Sequence, residues 1–317
     1  MKDRFGREIT YLRMSVTELC NLRCRYCMPA EGIRKRSHDE MMSQEEMLLA
    51  LRVAAELGVR KLRVTGGEPL VKRNILGICE GAAQIRGIEE ICLTTNGTLL
   101  PGLAKPLKRA GVSRLNISLD TLDERKYAWM TRVGRLDLAL KGIDAALDAG
   151  FEGTKLNAVL IGGWNDDEIR PLAELSRRWP VDVRFIELMP ITDRAAFGPE
   201  AFISCSRVLQ VLPELVPADR DDGVARLYRL PDAQGRIGLI SPLSAHFCAS
   251  CNRLRLMADG RVKPCLHSPL EFPVKGMDVE GIRRQFLAAC AAKPEQHAQL
   301  SYAQPSGANR SMNRIGG

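Results

Sequence analysis

Short apolar runs alternate with longer amphipathic stretches through the first 190 residues of this 317-residue chain. Each apolar run suits one strand and each amphipathic stretch suits one helix. Strands that alternate with helices form parallel βα units. A closed eightfold barrel needs about 250 residues, so we predict an α/β fold, an incomplete TIM-type (β/α)6 barrel. Its six strands are predicted at 11–17, 61–65, 91–95, 114–119, 155–161 and 183–188.

The clearest predicted helix spans residues 43–57. Ser43 and Glu46 have the spacing of a capping box at its start, and Gly58 follows its end. Further helices of the barrel are predicted at 75–85, 104–110, 136–149 and 167–178.

The pattern changes after residue 195. A helix at 204–212, short strands near 226–230, 237–239 and 253–257, and a helix at 278–293 predict an α+β region that caps the barrel. The last stretch is polar and rich in Gly and Ser, which is typical of a mobile tail. The predicted organisation is therefore a barrel (1–195), a C-terminal region (196–300) and a flexible tail (301–317).

Composition limits the partners and the compartment. The chain is 45% hydrophobic and predicts a globular protein, while no apolar run is long enough to cross a bilayer. The first ten residues lack the apolar core of a signal peptide, which favours the cytoplasm. The net charge of +8 favours an anionic partner, and aromatic residues at 5% provide few stacking platforms for single-stranded nucleic acid.

Ten cysteines in a reducing compartment indicate metal binding more than disulfides. Cys20, Cys24 and Cys27 form a C-x3-C-x2-C motif just after the first predicted strand. Thiolates are soft ligands that suit iron–sulfur clusters or zinc. A three-thiolate cluster leaves one iron open for a reactant, and the alternative is structural zinc with a fourth ligand such as His38.

A second trio, Cys248, Cys251 and Cys265, lies near the other end of the chain. Its spacing alone favours a zinc ribbon that lacks one cysteine, with His246 or His267 as the fourth ligand. The other four cysteines occupy apolar positions and are predicted to pack in the core: Cys79, Cys92, Cys205 and Cys290.

Cationic residues occur on strands and at their ends. Arg13 and Arg63 interrupt otherwise apolar strands, and a buried unpaired guanidinium is costly, so they predict an anionic ligand. Arg253 and Arg255 are two apart and share one face of an extended segment. The full set of candidates for a phosphate-bearing ligand is Arg13, Lys61, Arg63, Lys155, Arg184, Arg253 and Arg255.

The first cysteine motif and "VTGGEP" at 64–69 together resemble the radical S-adenosylmethionine (SAM) superfamily. Within it, "YLRMSVTELCNLRCRYCMP", "LNISLD", "VRFIELMP", "FCASCNRLRL" and the terminal "IGG" resemble the GTP 3′,8-cyclase family over nearly the whole chain. The resemblance implies two 4Fe–4S clusters, one on each trio, with SAM bound at the first and GTP at the second. A 5′-deoxyadenosyl radical then takes hydrogen from C3′ of GTP, and C3′ attacks C8 of guanine. This is the first step of molybdenum cofactor biosynthesis.

The same resemblance implies individual roles. Tyr26, Gly67, Ser118 and Met189 would contact SAM, Thr94 and Lys155 would contact GTP, and Gly316 and Gly317 would enter the active site with Arg253 and Arg255. It also implies a homodimer, a reductant such as flavodoxin or ferredoxin, and cyclic pyranopterin monophosphate synthase as the next enzyme.

Two rival functions remain open from the sequence. One is a zinc- or cluster-bearing RNA-binding protein, which the positive charge favours, and the other is a radical enzyme that modifies a peptide. The chain also departs from the family pattern at Glu18, Leu19 and Met257, which bears on substrate fit rather than on the reaction.

Overall fold

Parallel strands form the centre of this computed structural model, which describes residues 1–34, 36–191, 197–218, 223–301 and 304–316. All six predicted barrel strands are confirmed within a residue or two at their ends. They are β1 Tyr11–Ser15, β2 Lys61–Thr65, β3 Glu90–Thr95, β4 Arg114–Ser118, β5 Lys155–Leu160 and β6 Asp182–Glu187. They pair in chain order and every pairing is parallel.

The C-terminal region extends this sheet at both edges. It contributes β7 Val216–Pro217, β8 Arg226–Arg229, β9 Ile237–Ile240, β10 Arg253–Leu256, β11 Arg261–Lys263 and β12 Phe272–Pro273. Strand β9 pairs parallel to β6, and β10 pairs parallel to β1. Eight parallel strands therefore lie side by side, and in the described ranges the sheet remains open, in the order β12-β11-β10-β1-β2-β3-β4-β5-β6-β9-β8-β7. The predicted partial barrel is confirmed, and the chain from β9 to β10 links the two sides of its opening.

Helices cover one face of the sheet. Their bounds are α1 Gln44–Glu56, α2 Ile75–Ala83, α3 Leu100–Arg109, α4 Glu124–Thr131, α5 Leu136–Asp148, α6 Ile169–Arg178, α7 Ser206–Val211, α8 Val279–Ala291 and α9 Met312–Ile315. The capping box of α1 is present, because the Glu46 N–H donates to Ser43 Oγ and the Glu46 carboxylate accepts from the Ser43 N–H. The sequence did not predict α4 or α9, which are short and have mixed polarity. No helix in the described ranges is long and apolar enough to cross a bilayer.

The two faces of the sheet differ in polarity. Leu12 and Met14 of β1 and Leu62 and Val64 of β2 are fully buried against the helices. The intervening residues, such as Arg13 and the residues level with it on neighbouring strands, face the barrel interior because side chains alternate along a strand. The outer face thus provides the hydrophobic core and leaves the interior face to polar side chains. Cys79, Cys205 and Cys290 pack in the hydrophobic core, as predicted. Cys92 is also buried but lies level with Arg63 on the interior face, where its thiol donates to Glu90 and accepts from Arg114.

The backbone of α5 packs closely against the loop after β3, and this contact predicts how a substitution there changes stability. A Cβ at Gly142 would lie 2.0 Å from the Gly97 carbonyl oxygen. Gly142→Ala should therefore lower the free energy of unfolding by about 1–3 kcal/mol through overpacking. The matched control is Gly102→Ala in α3, where nothing lies within 4 Å, and it should raise stability by about 0.5–1 kcal/mol. Urea unfolding of the apoprotein measures both, and equal effects would contradict the packing.

Candidate active site

The first cysteine trio lies in the loop that follows the carboxyl end of β1. Its thiols, on Cys20, Cys24 and Cys27, are free and half-buried. The Cys27 and Met28 N–H groups donate to the Cys24 carbonyl at 2.9 and 3.1 Å and close a tight turn. The Leu22 N–H donates to Cys20 Sγ at 3.3 Å. Three soft donors on one ordered loop fit an iron–sulfur cluster.

Burial keeps these thiols protonated in the metal-free chain. It raises the pKa of Cys20 to about 11 and that of Cys27 to about 12, and it holds the pKa of Cys24 well above its ordinary value. A bound metal replaces such protons. His38, the fourth ligand of the zinc alternative, is exposed in a short 3₁₀ turn and borders an outer cavity of about 480 Å³ with Arg34 and Arg36.

The cysteine loop is held by the end of α4. Arg132 has a φ of 63°, an unusual value for a residue with a side chain. Its Nη1 donates to the carbonyls of Arg23 at 2.7 Å and Met28 at 3.0 Å, while the Arg23 N–H donates to the Thr131 carbonyl at 3.0 Å. Arg132 thus binds two points of the cysteine loop, one between Cys20 and Cys24 and one just after Cys27. The sequence carried no signal for this, because α4 itself was not predicted.

The glycine pair of "VTGGEP" allows one loop to pass against another. A Cβ at Gly67 would lie 2.4 Å from the Leu19 carbonyl oxygen, and one at Gly66 would lie 2.6 Å from that of Thr17. Both loops are also joined by hydrogen bonds, since the Gly67 N–H donates to the Thr17 carbonyl at 2.8 Å. The sequence predicted that these glycines admit a ligand. In the structure the close neighbour is the backbone of the cysteine loop, and contact of Gly67 with SAM stays a prediction.

Glu68 and Asp120 brace the same end of the barrel, and the sequence analysis missed both. Glu68 accepts hydrogen bonds from the Thr95 hydroxyl and the Asn96 N–H, each at 2.7 Å, and burial raises its pKa to about 7. Asp120 accepts from the Tyr26 hydroxyl at 2.7 Å, and burial raises its pKa to about 6. Each lies within a motif at the carboxyl end of a strand, "VTGGEP" or "LNISLD", and that position was the available signal.

All four residues predicted to contact SAM lie at the carboxyl ends of the strands. Tyr26 lies inside the cysteine motif, Gly67 follows β2, Ser118 ends β4 and Met189 follows β6. Ser118, Tyr26 and Met189 are each only partly buried. The structure therefore brings the four to the end of the barrel that holds the first trio.

The predicted cations face one another across the barrel interior. Arg13 of β1 lies in register between Arg255 of β10 and Arg63 of β2. Arg184 of β6 is level with Asn157, two residues after Lys155 on β5. Arg63 donates to the hydroxyls of Thr94, at 3.2 Å, and Tyr11. Tyr11 in turn lies in register with Arg253 and Lys61. The structure thus brings together all seven predicted cations and Thr94.

Burial, reinforced by neighbouring positive charges, lowers the pKa values of several of these cations. Burial and the charges of Arg184 and Arg114 lower the pKa of Lys155 to about 6. Burial is also the main cause that lowers the pKa of Arg184 to about 9 and that of Arg255 to about 10. Burial raises the pKa of the Tyr11 phenol, but the surrounding arginines outweigh it and bring the value down to about 8. Such an interior is suited to a multiply charged anion.

The end of the chain enters this interior. The Gly316 carbonyl accepts a hydrogen bond from Arg255 Nη1 at 2.8 Å, and a Cβ at Gly316 would lie 2.9 Å from Thr65. Gly316 has a φ of 80°, which glycine adopts without strain. Ile315 is buried, and the Asn313 N–H bonds to the Cys27 thiol. Gly317 lies outside the described residues, and the mobility predicted for the tail stays a prediction.

Arg310 anchors the tail upstream of α9. Its guanidinium donates two hydrogen bonds to Glu271 and one to Asp259, each at 2.6 Å. Asp259 also accepts from Arg36 at 3.0 Å, and Glu18 lies 3.5 Å from both Arg36 and Arg314. Glu18, one of the departures from the family pattern, is therefore part of a buried ion network that links the cysteine loop with the tail.

The second cysteine trio lies at the opposite end of the strands. Cys251 precedes β10, and Cys265 follows β11, which runs antiparallel to β10. Both cysteines are therefore at the amino end of β10 and of its parallel neighbour β1. The first trio is beyond the carboxyl end of β1, and the strand between spans about 13 Å at about 3.3 Å per residue. The arginine-lined interior thus separates two trios of half-buried free thiols.

Histidines surround Cys248. His246 and His297 bond to each other at 3.1 Å, and the metal-ligating atoms of both lie within 4.8 Å of the Cys248 thiol. His246, a candidate in the zinc alternative, is therefore close to this cysteine, together with His297, which the sequence analysis missed. His267, the other candidate, bonds to Ser306 at 3.0 Å, and burial with the neighbouring His297 lowers its pKa to about 3.

The second trio is more electropositive than the first. Burial opposes ionisation of Cys251, but the charges of Arg253 and Lys293 outweigh it and lower the pKa of the thiol. Burial also opposes ionisation of Cys248, and the hydrogen bond from His297 outweighs it, so that this pKa is lowered as well.

Two family models match the chain. The model described as "Radical SAM superfamily" matches residues 14–176, and the one described as "Molybdenum Cofactor Synthesis C" matches residues 181–299. The first covers β1 to α6, and the second covers β6 to β12 and α8.

Solved structures of low sequence identity share the fold. The crystal structure of Streptococcus suis SuiB bound to S-adenosylmethionine superposes with a TM-score of 0.64 at 15% identity, over 86% of this chain and 65% of that one. Methylornithine synthase (PylB) superposes with a TM-score of 0.52 at 17% identity, over 66% of this chain and 63% of that one. At these identities the similarity shows the partial barrel alone.

Curated relatives match from end to end. The GTP 3′,8-cyclase of Alkaliphilus oremlandii (strain OhILAs) is 45% identical over the full length of both chains. That of Alkaliphilus metalliredigens (strain QYMF) is 46% identical over the full length of both, and that of Peptoclostridium acidaminophilum is 47% identical over 93% of each. The chain therefore belongs to the radical SAM superfamily and, within it, to the GTP 3′,8-cyclase family.

Proposed function

We propose that this chain converts GTP to 3′,8-cyclo-7,8-dihydro-GTP, the first step of molybdenum cofactor biosynthesis. The observation that carries the proposal is the barrel interior. Cationic side chains line it between two cysteine trios, one at each end of the strands. The phosphates of a nucleoside triphosphate would bind the cations, and its base would reach the end that carries the second trio. Full-length similarity to GTP 3′,8-cyclases supports the same reaction.

Membership of the radical SAM superfamily implies a 4Fe–4S cluster and SAM. When bound, they supply a carbon-centred radical that can take a hydrogen atom from a substrate. The residues of the chain position these groups. Cys20, Cys24 and Cys27 would hold the cluster, and the loop that carries them is fixed by Arg132. Tyr26 would face SAM with its hydroxyl held by Asp120.

A second 4Fe–4S cluster on Cys248, Cys251 and Cys265 is part of the proposal. Three thiols with no fourth cysteine beside them in the described ranges leave one coordination position for a substrate atom. The lowered pKa values of Cys248 and Cys251 favour the thiolates that a metal requires. A single zinc ion on His246, Cys248 and His297 is the competing arrangement, and it would leave Cys251 and Cys265 unused.

Cations of the interior would bind the triphosphate. Arginine forks suit phosphate oxygens, and a charge removed from water gains most from an oppositely charged ligand. Arg253 and Arg255 on β10 lie nearest the second trio, and Arg13 and Arg63 continue the row on the next two strands. The remaining candidates are on β3, β5 and β6: Thr94, Lys155 and Arg184. Lys61 is held by Glu90 at 2.6 Å, so it would act through the charge of the group rather than alone.

Gly316 and Gly317 would complete the site from the tail. Arg255 bonds to the Gly316 carbonyl, so this one arginine would contact both the tail and the substrate. The positive charges concerned face inward, which disfavours an RNA-binding function that needs them on an outer surface.

Partners follow from the same chemistry. The reaction needs an external electron donor such as flavodoxin or ferredoxin, and its product would pass to cyclic pyranopterin monophosphate synthase. We also propose a homodimer and a cytoplasmic location, where cluster thiols remain reduced.

The central test is anaerobic reconstitution followed by incubation with dithionite, SAM and GTP. Two clusters require about eight irons per chain. The expected result is release of 5′-deoxyadenosine that GTP accelerates, together with formation of the cyclised nucleotide. Zinc in either trio, or cleavage of SAM that yields no nucleotide product, would exclude the proposed function.

Cys265→Ser should distinguish the function of the first trio from that of the second. The variant should retain about four irons on the first trio and should still cleave SAM, because that trio is remote. Conversion of GTP should be lost, since the second cluster would be missing. Iron analysis and chromatography of both products measure this. Cys290→Ala, which alters a buried core cysteine, is the control and should keep both activities. A Cys265→Ser variant that still forms product would refute the role of the second trio.

Arg310→Ala should release the tail. The lost guanidinium makes three bonds of 2.6 Å at a side chain that is 11% exposed, so docking should weaken by about 2–5 kcal/mol. Trypsin should then cleave after Arg314 faster, and GTP conversion should fall while SAM cleavage persists. Arg261→Ala is the matched control, because Arg261 meets the same Glu271 at 3.9 Å and is 47% exposed. Equal proteolysis of the two variants would contradict the anchor.

Binding of GTP should take up a proton at Lys155. With a pKa of about 6, this amine is mostly neutral at pH 8 in the free protein. A bound triphosphate would raise the pKa, so the amine would become charged. The uptake should be present at pH 8 and should vanish as the pH falls below 6. Calorimetry at pH 8 in buffers of different ionisation enthalpy measures it. Lys155→Arg should bind GTP with a smaller uptake, because the Tyr11 phenol, with a pKa of about 8, can also take up a proton. An uptake equal to that of the unaltered chain would overturn the assignment to Lys155.

A further inference from the structure

Lys293 is a buried lysine that none of the roles above uses. It follows α8, and its side chain is 2% exposed. Its Nζ contacts the Cys251 thiol at 3.3 Å and donates to the carbonyls of Arg253 and Pro264, each at 3.0 Å. An ammonium has three protons to donate, so these three acceptors saturate it.

The charge of this lysine has no carboxylate partner among the described residues. Two of its acceptors are neutral carbonyls, and the third is a sulfur atom. A buried ammonium without a counter-charge is strongly disfavoured. A thiolate at Cys251, and beyond it an anionic metal–sulfur group, would provide the missing negative charge.

The three acceptors belong to the segments that carry the second trio. Cys251 is one of its members, Arg253 begins β10 directly after it, and Pro264 immediately precedes Cys265. One side chain therefore ties two cysteine-bearing segments that are 14 positions apart in the sequence. Loss of this side chain would free both segments at once.

We propose that Lys293 is the positioning residue of the second cluster, which fixes the segments of Cys251 and Cys265 and neutralises the charge of the cluster through the Cys251 sulfur. The inference rests on the second cluster of the proposed function. Hydrogen bonds to ligand sulfurs and nearby positive charge raise the reduction potential of an iron–sulfur cluster. Partners of metal ligands also govern how firmly the metal is held.

The test uses the full chain with Cys20, Cys24 and Cys27 replaced by alanine, so that any remaining cluster belongs to the second trio. Lys293→Met removes the charge and the donor, Lys293→Gln keeps a neutral donor, and Lys293→Arg keeps the charge. Lys105→Met, on the exposed side of α3, is the control for net charge. The readouts are iron content, the rate of iron transfer to a chelator, and the reduction midpoint followed by electron paramagnetic resonance.

In this background Lys293→Met should lose iron about 10–100-fold faster and should have a more negative midpoint. Lys293→Gln should retain iron better than Lys293→Met but keep the negative shift, because it lacks the charge. Lys293→Arg should largely restore the midpoint, and Lys105→Met should change nothing.

The apoprotein provides a check on folding. Without the cluster, Lys293→Met should still unfold in one cooperative transition, which would show that faster loss of iron does not come from loss of the fold. If the parent background binds no iron, the second cluster and the proposed function fail. If the parent binds iron and all Lys293 variants match it in iron retention and midpoint, the role of Lys293 alone is refuted.

Discussion

Repulsion among positive charges on one face of a parallel sheet is the constraint on which this structure depends. Register places Arg255, Arg13 and Arg63 side by side on three neighbouring strands. Such a face cannot pack as the interior of a barrel usually does, so stability must come from the outer face, where the strands are sealed by helices. The interior remains a space that favours an anion. Burial, and after it the neighbouring charges of Arg184 and Arg114, lower the pKa of Lys155 within this interior.

The direction of the strands determines which groups lie at each end of the barrel interior. Loops at the carboxyl ends of the strands carry the first trio, the glycine pair and the buried carboxylates of Glu68 and Asp120. The amino end of β10 carries the second trio, which β11 completes by running back antiparallel. An elongated ligand about as long as the strands would reach both ends. The tail enters between them, held by Arg310 outside the barrel and by Arg255 inside it.

Much of this could be predicted from local patterns. The strands followed from short apolar runs between amphipathic stretches, and the start of α1 followed from Ser43 and Glu46. The cationic interior followed from Arg13 and Arg63 in apolar runs. What could not be predicted depends on contacts between distant segments. The pairing of β10 with β1 places Arg255 beside Arg13, yet 242 positions separate them and neither segment encodes the register. Arg132, His297 and Lys293 were missed for the same reason, because their partners are defined only after the chain has folded.

Electrostatic environment distinguishes the two trios as sharply as position does. At the first trio burial dominates and raises the thiol pKa values, and the nearest buried acids are Glu68 and Asp120. At the second trio burial also opposes ionisation, but Arg253 and Lys293 at Cys251 and His297 at Cys248 outweigh it and lower these two pKa values. Positive surroundings raise the reduction potential of an iron–sulfur cluster. A cluster on the second trio would therefore have a higher reduction potential than a cluster on the first. The cluster at the SAM end would be the stronger reductant, and the cluster at the substrate end would be the easier one to reduce. One sheet thus creates two different metal environments by placing its cations asymmetrically along the strands.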